Sequence, residues 1–301
     1  MVEEKAFDPE FLTRLDRLIL AIKHARAQRP GQRSLGRVQG AGLEIENFRP
    51  YVQGDDLRFL DWNALGRLDE LIIRTHRSER KVEISILVDL SASMRFPVED
   101  DKAGLALAVA SSVAYIAMSE NDAVRIVGIG RRGNRVMLDA TPFFHRRDSY
   151  YELRPFLKKM RFRGETALDA GVAEILNQRK ERGVAVIVSD FLTPFEQWQS
   201  ALKRLLAAGY EVAVLHVLGQ HESQGTYAPG IYRVYDSETG QMRELRFERK
   251  VASLYLARLH RLVDELRTFC HRNNIPYVRA FGAENFETIV TQEFPRLGLV
   301  H

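Results

Sequence analysis

Short runs of apolar residues alternate with helical patterns over most of the chain. The apolar runs are Ile84–Val88, Val124–Ile129, Val184–Val188, Val212–Val217 and Tyr277–Ala280. The stretches with helical spacing are Lys102–Met118, Leu168–Arg182, Phe195–Ala208, Ala252–Asn273 and Glu284–Phe294. Nearly continuous apolar strands separated by helices are typical of a mostly parallel sheet with helices on both faces. The pattern therefore predicts a doubly wound α/β fold.

Part of the strand arrangement is also predictable. The runs at 84–88, 184–188 and 212–217 are almost uniformly apolar and each is followed by a helix, so we expect them to be adjacent, parallel and central. Arg135–Asp139 follows a glycine-containing turn and is expected to pair antiparallel at a sheet edge. Ile231–Tyr235 and Met242–Phe247 flank a turn and predict a β-hairpin insertion near 219–250. Excursions of this length are often recognition elements.

The first 80 residues have a different pattern. Pro9–Ala27 places apolar residues at helical spacing and predicts an amphipathic helix. A basic, glycine-containing stretch follows, and then short extended pieces at Leu43–Phe48 and Glu70–Thr75. We therefore predict an N-terminal segment, 1–80, ahead of an α/β domain, 81–301.

Composition restricts the class of protein. The chain has 301 residues, of which 45% are hydrophobic and 28% charged, and one cysteine. No apolar run reaches the roughly 18–20 residues of a membrane span, and the acidic N-terminus lacks the apolar region of a secretory signal. A single cysteine, Cys270, excludes an intramolecular disulfide and suits a reducing compartment. We expect a soluble cytoplasmic protein in which Cys270 is a small buried side chain on a helix.

Charge is unevenly distributed in one place. The net charge is only +4, yet Lys23–Arg37 carries five basic residues and no acidic one. The glycines and proline of this stretch predict a loop. It is interpreted as a solvated connector, with an arm for nucleic acid or anionic lipid as the alternative.

Three separated pieces of sequence carry candidate metal ligands. Asp89, Ser91 and Ser93 follow the first apolar run, Thr166 precedes a helical pattern, and Asp190 follows the run at 184–188. Ligands of open α/β sheets bind at the carboxyl ends of the strands. Two carboxylates and three hydroxyls suit a hard cation, Mg²⁺ or Mn²⁺, better than zinc. Taken singly, however, Asp190 and Thr166 could equally be helix caps.

Other chemistries lack their motifs. The string Gly128–Gly133 matches G-x-G-x-x-G, but a strand rather than a helix follows it, so it predicts a hairpin turn and not a dinucleotide site. The sequence has no P-loop, no zinc motif and no G-x-S-x-G elbow. Ser91 also has no histidine nearby in sequence to activate it.

The five candidate ligands resemble the metal-ion-dependent adhesion site of von Willebrand factor A-type domains. The stretch Phe48–Trp62, followed by Arg74 and Glu79-Arg80, resembles the domain of unknown function 58 family, in which such a segment precedes an A-type domain. The likeness extends from about Ser34 to the C-terminus. One departure is that the second carboxylate usually precedes glycine, whereas Phe191 follows Asp190 here.

The resemblance implies a function. Ser91, Ser93 and Thr166 would ligate the ion directly, and Asp89 and Asp190 directly or through water. A partner would supply a further carboxylate. Family members resemble partners of MoxR-type AAA+ ATPases, which implies an adaptor in chaperone-like assembly or in cofactor insertion into a client protein.

This adaptor is expected not to be an enzyme, because no general base is evident in the sequence. The alternatives are a Mg²⁺-dependent phosphoester hydrolase using the same ligands and nucleic-acid binding through residues 23–37. The ligands are expected to lie exposed in loops, so that Asp89→Ala or Thr166→Ala should leave the fold intact.

Overall fold

The computed structural model describes residues 5–27, 45–52, 60–68, 70–76, 82–178, 182–224, 230–238, 240–247, 249–281 and 286–293. The chain divides into two compact units, Met1–Gly36 with Val82–His301, and Arg37–Lys81. The first helix thus belongs to the larger unit, and the boundary predicted at residues 80 and 81 stays a prediction. Most of the basic stretch, residues 28–37, lies outside the described residues.

The strands are β1 (Ile45–Pro50), β2 (Ile72–His76), β3 (Glu83–Asp89), β4 (Ala123–Arg132), β5 (Arg135–Ala140), β6 (Val184–Ser189), β7 (Glu211–Leu218), β8 (Gly230–Tyr235), β9 (Met242–Phe247) and β10 (Tyr277–Phe281). The helices are α1 (Pro9–Ala27), α2 (Trp62–Leu68), α3 (Lys102–Ser119), α4 (Leu153–Leu157), α5 (Leu168–Gln178), α6 (Phe195–Ala207), α7 (Gln220–Gln224), α8 (Arg249–Arg272) and α9 (Phe286–Thr288). A short π-helical stretch, Ile289–Glu293, follows α9, and 3₁₀ turns lie at Ala92–Arg95, Val98–Asp100 and Arg147–Glu152.

A six-stranded sheet organises the larger unit. Its order is β10-β7-β6-β3-β4-β5, and every pair is parallel except β4 with β5. The prediction that β3, β6 and β7 are adjacent, parallel and interior is confirmed, as is the antiparallel edge strand β5. The string Gly128–Gly133 runs through β4 into a turn and then β5, as the hairpin interpretation requires.

Apolar side chains cover both faces of this sheet, so the doubly wound α/β class is confirmed. On one face, Ile84, Ile86 and Val88 of β3 pack in a cluster with α1 and α3. On the other, Leu87 packs in a cluster with α5, α6 and α8. The alternation follows from the pleat, which points successive side chains to opposite faces. Cys270 is fully buried in the second cluster, as predicted.

The central helix is unusually apolar. Within the described residues, one stretch, Val98–Ser119, is long and apolar enough to span a membrane by composition. However, 89% of that window is buried inside the protein. Burial of this extent is typical of a core helix, and α3 makes up most of that stretch.

Helix α1 is part of the same core. Phe11, Leu12 and Leu15 are buried, which confirms its predicted apolar face. The Tyr115 hydroxyl of α3 donates a hydrogen bond of 2.9 Å to Asp16. The N-terminal helix is therefore held by both apolar packing and a polar contact.

The smaller unit contains one antiparallel pair, β1 with β2, and the short helix α2. Asp61 precedes this helix and accepts a hydrogen bond of 3.2 Å from the Ala64 amide, which is a typical N-cap. The backbone amide of Asp61 donates to the carbonyl of Ile72, 2.8 Å away, and so ties the helix start to β2. The stretch Gly54-Asp55-Asp56 lies outside the described residues.

Candidate metal centre

Four of the five predicted ligands lie around the carboxyl ends of β3 and β6, which are neighbouring parallel strands. Asp89 ends β3, and Asp190 directly follows β6. Thr166 Oγ1 donates to Asp89 Oδ2 over 3.0 Å. Ser91 lies next to Asp89, with its amide donating to Asp89 Oδ1 over 2.9 Å. The fifth residue, Ser93, has its hydroxyl 3.0 Å from that of Ser91. Residues up to 101 positions apart in sequence are thus brought to one edge of the sheet.

Asp89 is buried and accepts hydrogen bonds from several neighbours. Its carboxylate also accepts a bond of 2.7 Å from the Ser189 hydroxyl. Burial, and secondly the negative charge of Asp190, raise the pKa of Asp89 to about 6. The expectation of exposed ligands is wrong for Asp89, Ser91 and Asp190, which are buried. They lie where the strands leave the core, whereas Ser93, in the 3₁₀ turn Ala92–Arg95, and Thr166, on a loop, are half-buried.

The loop that carries Thr166 is fixed to β4 and to the turn after β3. The Gly164 carbonyl accepts from the Ala92 amide over 2.9 Å, and the Glu165 carbonyl accepts from the Arg131 amide over 3.1 Å. Gly164 has φ of 80°, and a Cβ atom there would lie 2.0 Å from the Arg131 carbonyl oxygen. Only glycine fits this position, so the placement of Thr166 depends on it.

Replacing Gly164 by alanine is expected to lower the free energy of unfolding by more than about 1 kcal/mol, because φ is positive and the new methyl group meets backbone. Gly133→Ala is the matched control. Gly133 also has positive φ, 58°, but no atom lies within 4 Å of its Cβ position. Urea unfolding of both variants measures the difference, and equal losses would show that the close approach to Arg131 is unimportant.

Lys102, which the sequence analysis missed, is fully buried beside the site. Its ammonium lies 3.0 Å from Asp190 Oδ2 and 2.9 Å from Glu222 Oε1. Burial alone would lower the pKa of Lys102, but the two carboxylates raise it above its usual value. One signal was available in the sequence: a lysine at the first residue of an apolar helix faces the positive end of the helix dipole and so requires acidic partners.

Glu222 is held in place by Asp100. The Asp100 carboxylate accepts hydrogen bonds from the backbone amides of His221 and Glu222, and the His221 Nδ1 atom lies 2.7 Å from it. These bonds anchor the first residues of α7, where Glu222 points back to Lys102. Asp100 therefore positions Glu222, the second carboxylate of the Lys102 ion pair.

The backbone after Asp190 takes the conformation that glycine usually supplies. Phe191 has φ of 52° and is buried, with its ring edge-on to Trp198 at a centroid distance of 6.4 Å. A non-glycine residue in this region costs of the order of 1–3 kcal/mol, and burial of the aromatic ring offsets that cost. The departure from the Asp-Gly pattern therefore leaves Asp190 at the sheet edge.

His216 is the histidine that touches this site, and both its ring nitrogens are engaged. Nε2 donates to the Asp190 carbonyl over 3.0 Å, because a carbonyl can only accept, and Nδ1 accepts from the Tyr277 hydroxyl over 2.8 Å. Burial lowers the pKa of His216 to about 4, so the ring is neutral. It supports the backbone of Asp190 and is not placed to activate Ser91.

A third carboxylate reaches the site from the hairpin insertion. Glu238 lies in the turn between β8 and β9, and its Oε2 atom accepts from the Thr166 amide over 3.4 Å. Burial first, with Asp89 and Asp190 as further causes, raises the pKa of Glu238 to about 7. The hairpin was predicted, but no local signal in the sequence indicated that its turn meets Thr166.

The residues present fit a hard divalent cation. Two carboxylates of like charge share one buried edge, and hydroxyls of serine and threonine surround them, which together form an all-oxygen donor set. Within the part of the chain that the structure describes, no group of three or more histidine, cysteine or acidic side chains could hold a metal. Oxygen donors of the kind present suit Mg²⁺ or Mn²⁺ better than zinc, and the metal itself stays a prediction.

Comparison with known proteins identifies the family. The model for "Protein of unknown function DUF58" matches residues 47–261, more than half of the chain. The chain belongs to the DUF58 family. An uncharacterized protein of Mycobacterium tuberculosis is 29% identical to this DUF58 chain over 247 residues, which cover 80% of this chain and 75% of the mycobacterial one. The predicted family resemblance is confirmed.

Solved structures give a looser likeness. The conserved hypothetical protein BatB from Bacteroides thetaiotaomicron is 16% identical, with a TM-score of 0.42, and covers 72% of this DUF58 chain and 98% of BatB. A von Willebrand factor type A protein from Catenulispora acidiphila is 12% identical, with a TM-score of 0.35, and covers 72% of this chain and 43% of that one. Such scores assign neither a metal nor a partner, so both stay predictions.

Proposed function

We propose that this DUF58 protein is a metal-dependent protein-binding adaptor. The observation that carries the proposal is the meeting of Asp89, Asp190 and the Ser91, Ser93 and Thr166 hydroxyls at one edge of the sheet. These residues would hold Mg²⁺ or Mn²⁺, and the bound ion would offer a partner carboxylate a point of attachment. The protein's own groups orient the ligands: Gly164 places Thr166, and His216 and Phe191 place Asp190.

Neither His216 nor Lys102 is placed to act as a general base. The histidine in contact with the site is neutral and has both nitrogens occupied, and Lys102 is already shared between two carboxylates. A general base must be free to take a proton from the attacking group, and neither residue is free to do so. Phosphoester hydrolysis stays the alternative function for the same ligands, since Glu238, with a pKa raised to about 7, also reaches them.

The proposed partner is a MoxR-type AAA+ ATPase, its client protein, or both, in a cytoplasmic assembly role. Support for this partner comes from the family resemblance. Nucleic-acid binding through residues 23–37 remains an alternative, and it predicts an affinity that falls steeply with salt.

A binding experiment with purified proteins tests the proposal. We expect a MoxR-type ATPase from the same genome, or its client, to bind the immobilised full chain in 5 mM Mg²⁺ (roughly the concentration that saturates a weak oxygen site) and to be released by EDTA. Asp190→Asn should lose most of this binding, because a buried carboxylate–metal contact contributes more than rim contacts do. Glu174→Gln, which changes an exposed acidic residue on α5, is the control and should bind as wild type.

Two results would contradict the adaptor role. The first is unchanged binding of the same partner in EDTA, which would leave the metal without a role in adhesion. The second is Mg²⁺-dependent release of nitrophenol from p-nitrophenyl phosphate that Asp190→Asn abolishes, which would favour the hydrolase.

A further inference from the structure

Glu238 is the one acidic side chain of the hairpin turn that is directed at the candidate metal centre. Its Oε2 atom lies 3.4 Å from the Thr166 amide, and the side chain is half-buried. Asp236, Ser237 and Gly240 of the same turn are exposed. The turn thus places a single carboxylate against the loop that carries a predicted ligand.

The turn is built to present this side chain. The Glu238 amide donates to Asp236 Oδ1 over 2.9 Å, and the Gly240 amide donates to the Asp236 carbonyl over 2.8 Å. The Asp236 amide in turn donates to the Gln241 carbonyl over 2.9 Å. Gly240 has φ of 72°, which closes the turn at a position that favours glycine. These bonds fix the backbone of the turn from which the Glu238 side chain projects.

The charges around Glu238 favour the binding of a cation. Asp89 and Asp190 both act on Glu238 as like charges, and the ammonium of Lys102 is shared by Asp190 and Glu222. Asp89, Asp190, Glu222 and Glu238 are thus four carboxylates near a single described ammonium, so a further cation among them would lower their mutual repulsion. A divalent ion held by the predicted ligands would supply that charge, and Glu238 would approach it from the solvent side.

The hairpin is only lightly attached to the rest of the unit. Strands β8 and β9 form a two-stranded sheet of their own, and nearly all of their residues are exposed on both faces. Ile231 and Tyr235 keep 69% and 64% of their surface in solvent. An isolated two-stranded hairpin is marginally stable in water, so lifting this one from the site breaks few buried contacts.

We propose that, once an ion is bound, Glu238 turns from the Thr166 amide to the ion and becomes a built-in carboxylate ligand, in the position that a partner's acidic side chain takes when the adaptor engages. This inference rests on the proposed function and specifies its regulation. A partner must displace the hairpin, and it competes best when it presents glutamate or aspartate on a similarly tight turn. The hairpin keeps the unpartnered protein from binding exposed acidic side chains at random.

Mn²⁺ alone serves as the probe, with the full chain and two variants. Glu238→Gln removes the carboxylate charge and keeps the size of the side chain, and Glu244→Gln changes an exposed residue of β9 in the same hairpin. Water-proton relaxation counts the water molecules on bound Mn²⁺. We expect Glu238→Gln to gain about one water and to bind Mn²⁺ about tenfold more weakly or worse, since even residues behind the ligands typically change affinity by 10–100-fold. Glu244→Gln should match wild type.

Hydrogen exchange gives a second readout that does not depend on affinity. Mg²⁺ should slow exchange of the 230–247 amides in wild type and in Glu244→Gln but not in Glu238→Gln. If wild type binds Mn²⁺ and Glu238→Gln shows the same water count and the same exchange, Glu238 is not a ligand, and the adaptor proposal is unaffected. If wild type and both variants bind no Mn²⁺, the proposed function and this inference both fail.

Discussion

Lys102→Met is expected to lower the free energy of unfolding by about 3–5 kcal/mol, the usual cost of breaking a buried ion pair from one side. The loss arises because Asp190 and Glu222 would remain buried without the ammonium that lies within 3.0 Å of both. Methionine keeps most of the lysine volume, so the change tests charge and not packing. Urea unfolding at pH 7 measures the effect.

Two further variants show whether the loss of stability comes from the unpaired charges. Lys102→Met combined with Glu222→Gln should recover part of the loss, because one of the two uncompensated charges is removed with its partner. Lys203→Met is the control: Lys203 is exposed on α6 and bonds to Gln199, so its replacement should change stability by less than about 0.5 kcal/mol. A Lys102→Met protein as stable as wild type would show that Asp190 and Glu222 are not left charged in the fold.

Thr166→Ala is expected to weaken Mn²⁺ binding by at least about tenfold while leaving the fold intact, since removal of a ligand should cost no less than loss of a supporting residue. Thr166 is half-buried on a loop whose backbone is held independently through Gly164 and Glu165. Calorimetric titration with Mn²⁺ measures the affinity, and thermal unfolding in EDTA checks the fold. Thr13→Ala, on the exposed face of α1, is the control.

At Asp89, a substitution that keeps a hydrogen-bond acceptor is a better test of metal binding than alanine. Its carboxylate accepts from the Ser91 amide and from the hydroxyls of Thr166 and Ser189, and removal of a buried acceptor leaves these donors unpaired. Asp89→Asn keeps the shape and one acceptor oxygen, so it should lose Mn²⁺ binding with less damage to the fold. Equal affinity in wild type, Asp89→Asn and Thr166→Ala would rule out the metal assignment.

The strands and helices were predictable where one hydrophobic periodicity, that of a strand or that of a helix, persists along the sequence. The uniformly apolar runs of β3, β6 and β7 indicated buried parallel strands, and the glycine turn after β4 indicated an antiparallel edge. The start of α8 shifted by only a few residues, to Arg249 where Ala252 was expected. Such shifts are normal, because end residues depend on caps and not on the apolar period. The last predicted helix, Glu284–Phe294, differs more: only Phe286–Thr288 is α-helical, and Ile289–Glu293 is π-helical.

The site was predictable in part for a topological reason. Parallel strands end at one edge, so residues after β3 and β6 had to meet there whatever their distance in sequence. Lys102 and Glu238 could not be inferred in the same way. Lys102 is 88 residues from Asp190 and 120 from Glu222, and Glu238 is 72 from Thr166. Their contacts depend on where the start of α3 and the turn between β8 and β9 lie against the sheet. The hydrophobic periodicity of a short stretch of sequence does not contain that information.

Phe191 has a consequence for communication across the sheet. Where glycine follows the second carboxylate, the turn needs no support, but here a buried aromatic ring holds the backbone in that conformation. The ring packs in one cluster with Trp198 of α6 and Phe269 of α8. The direction of the Asp190 carboxylate therefore depends on the positions of α6 and α8, which pack on one face of the sheet. A protein that binds and shifts those helices would therefore change the direction of the Asp190 carboxylate without contacting any of the predicted ligands.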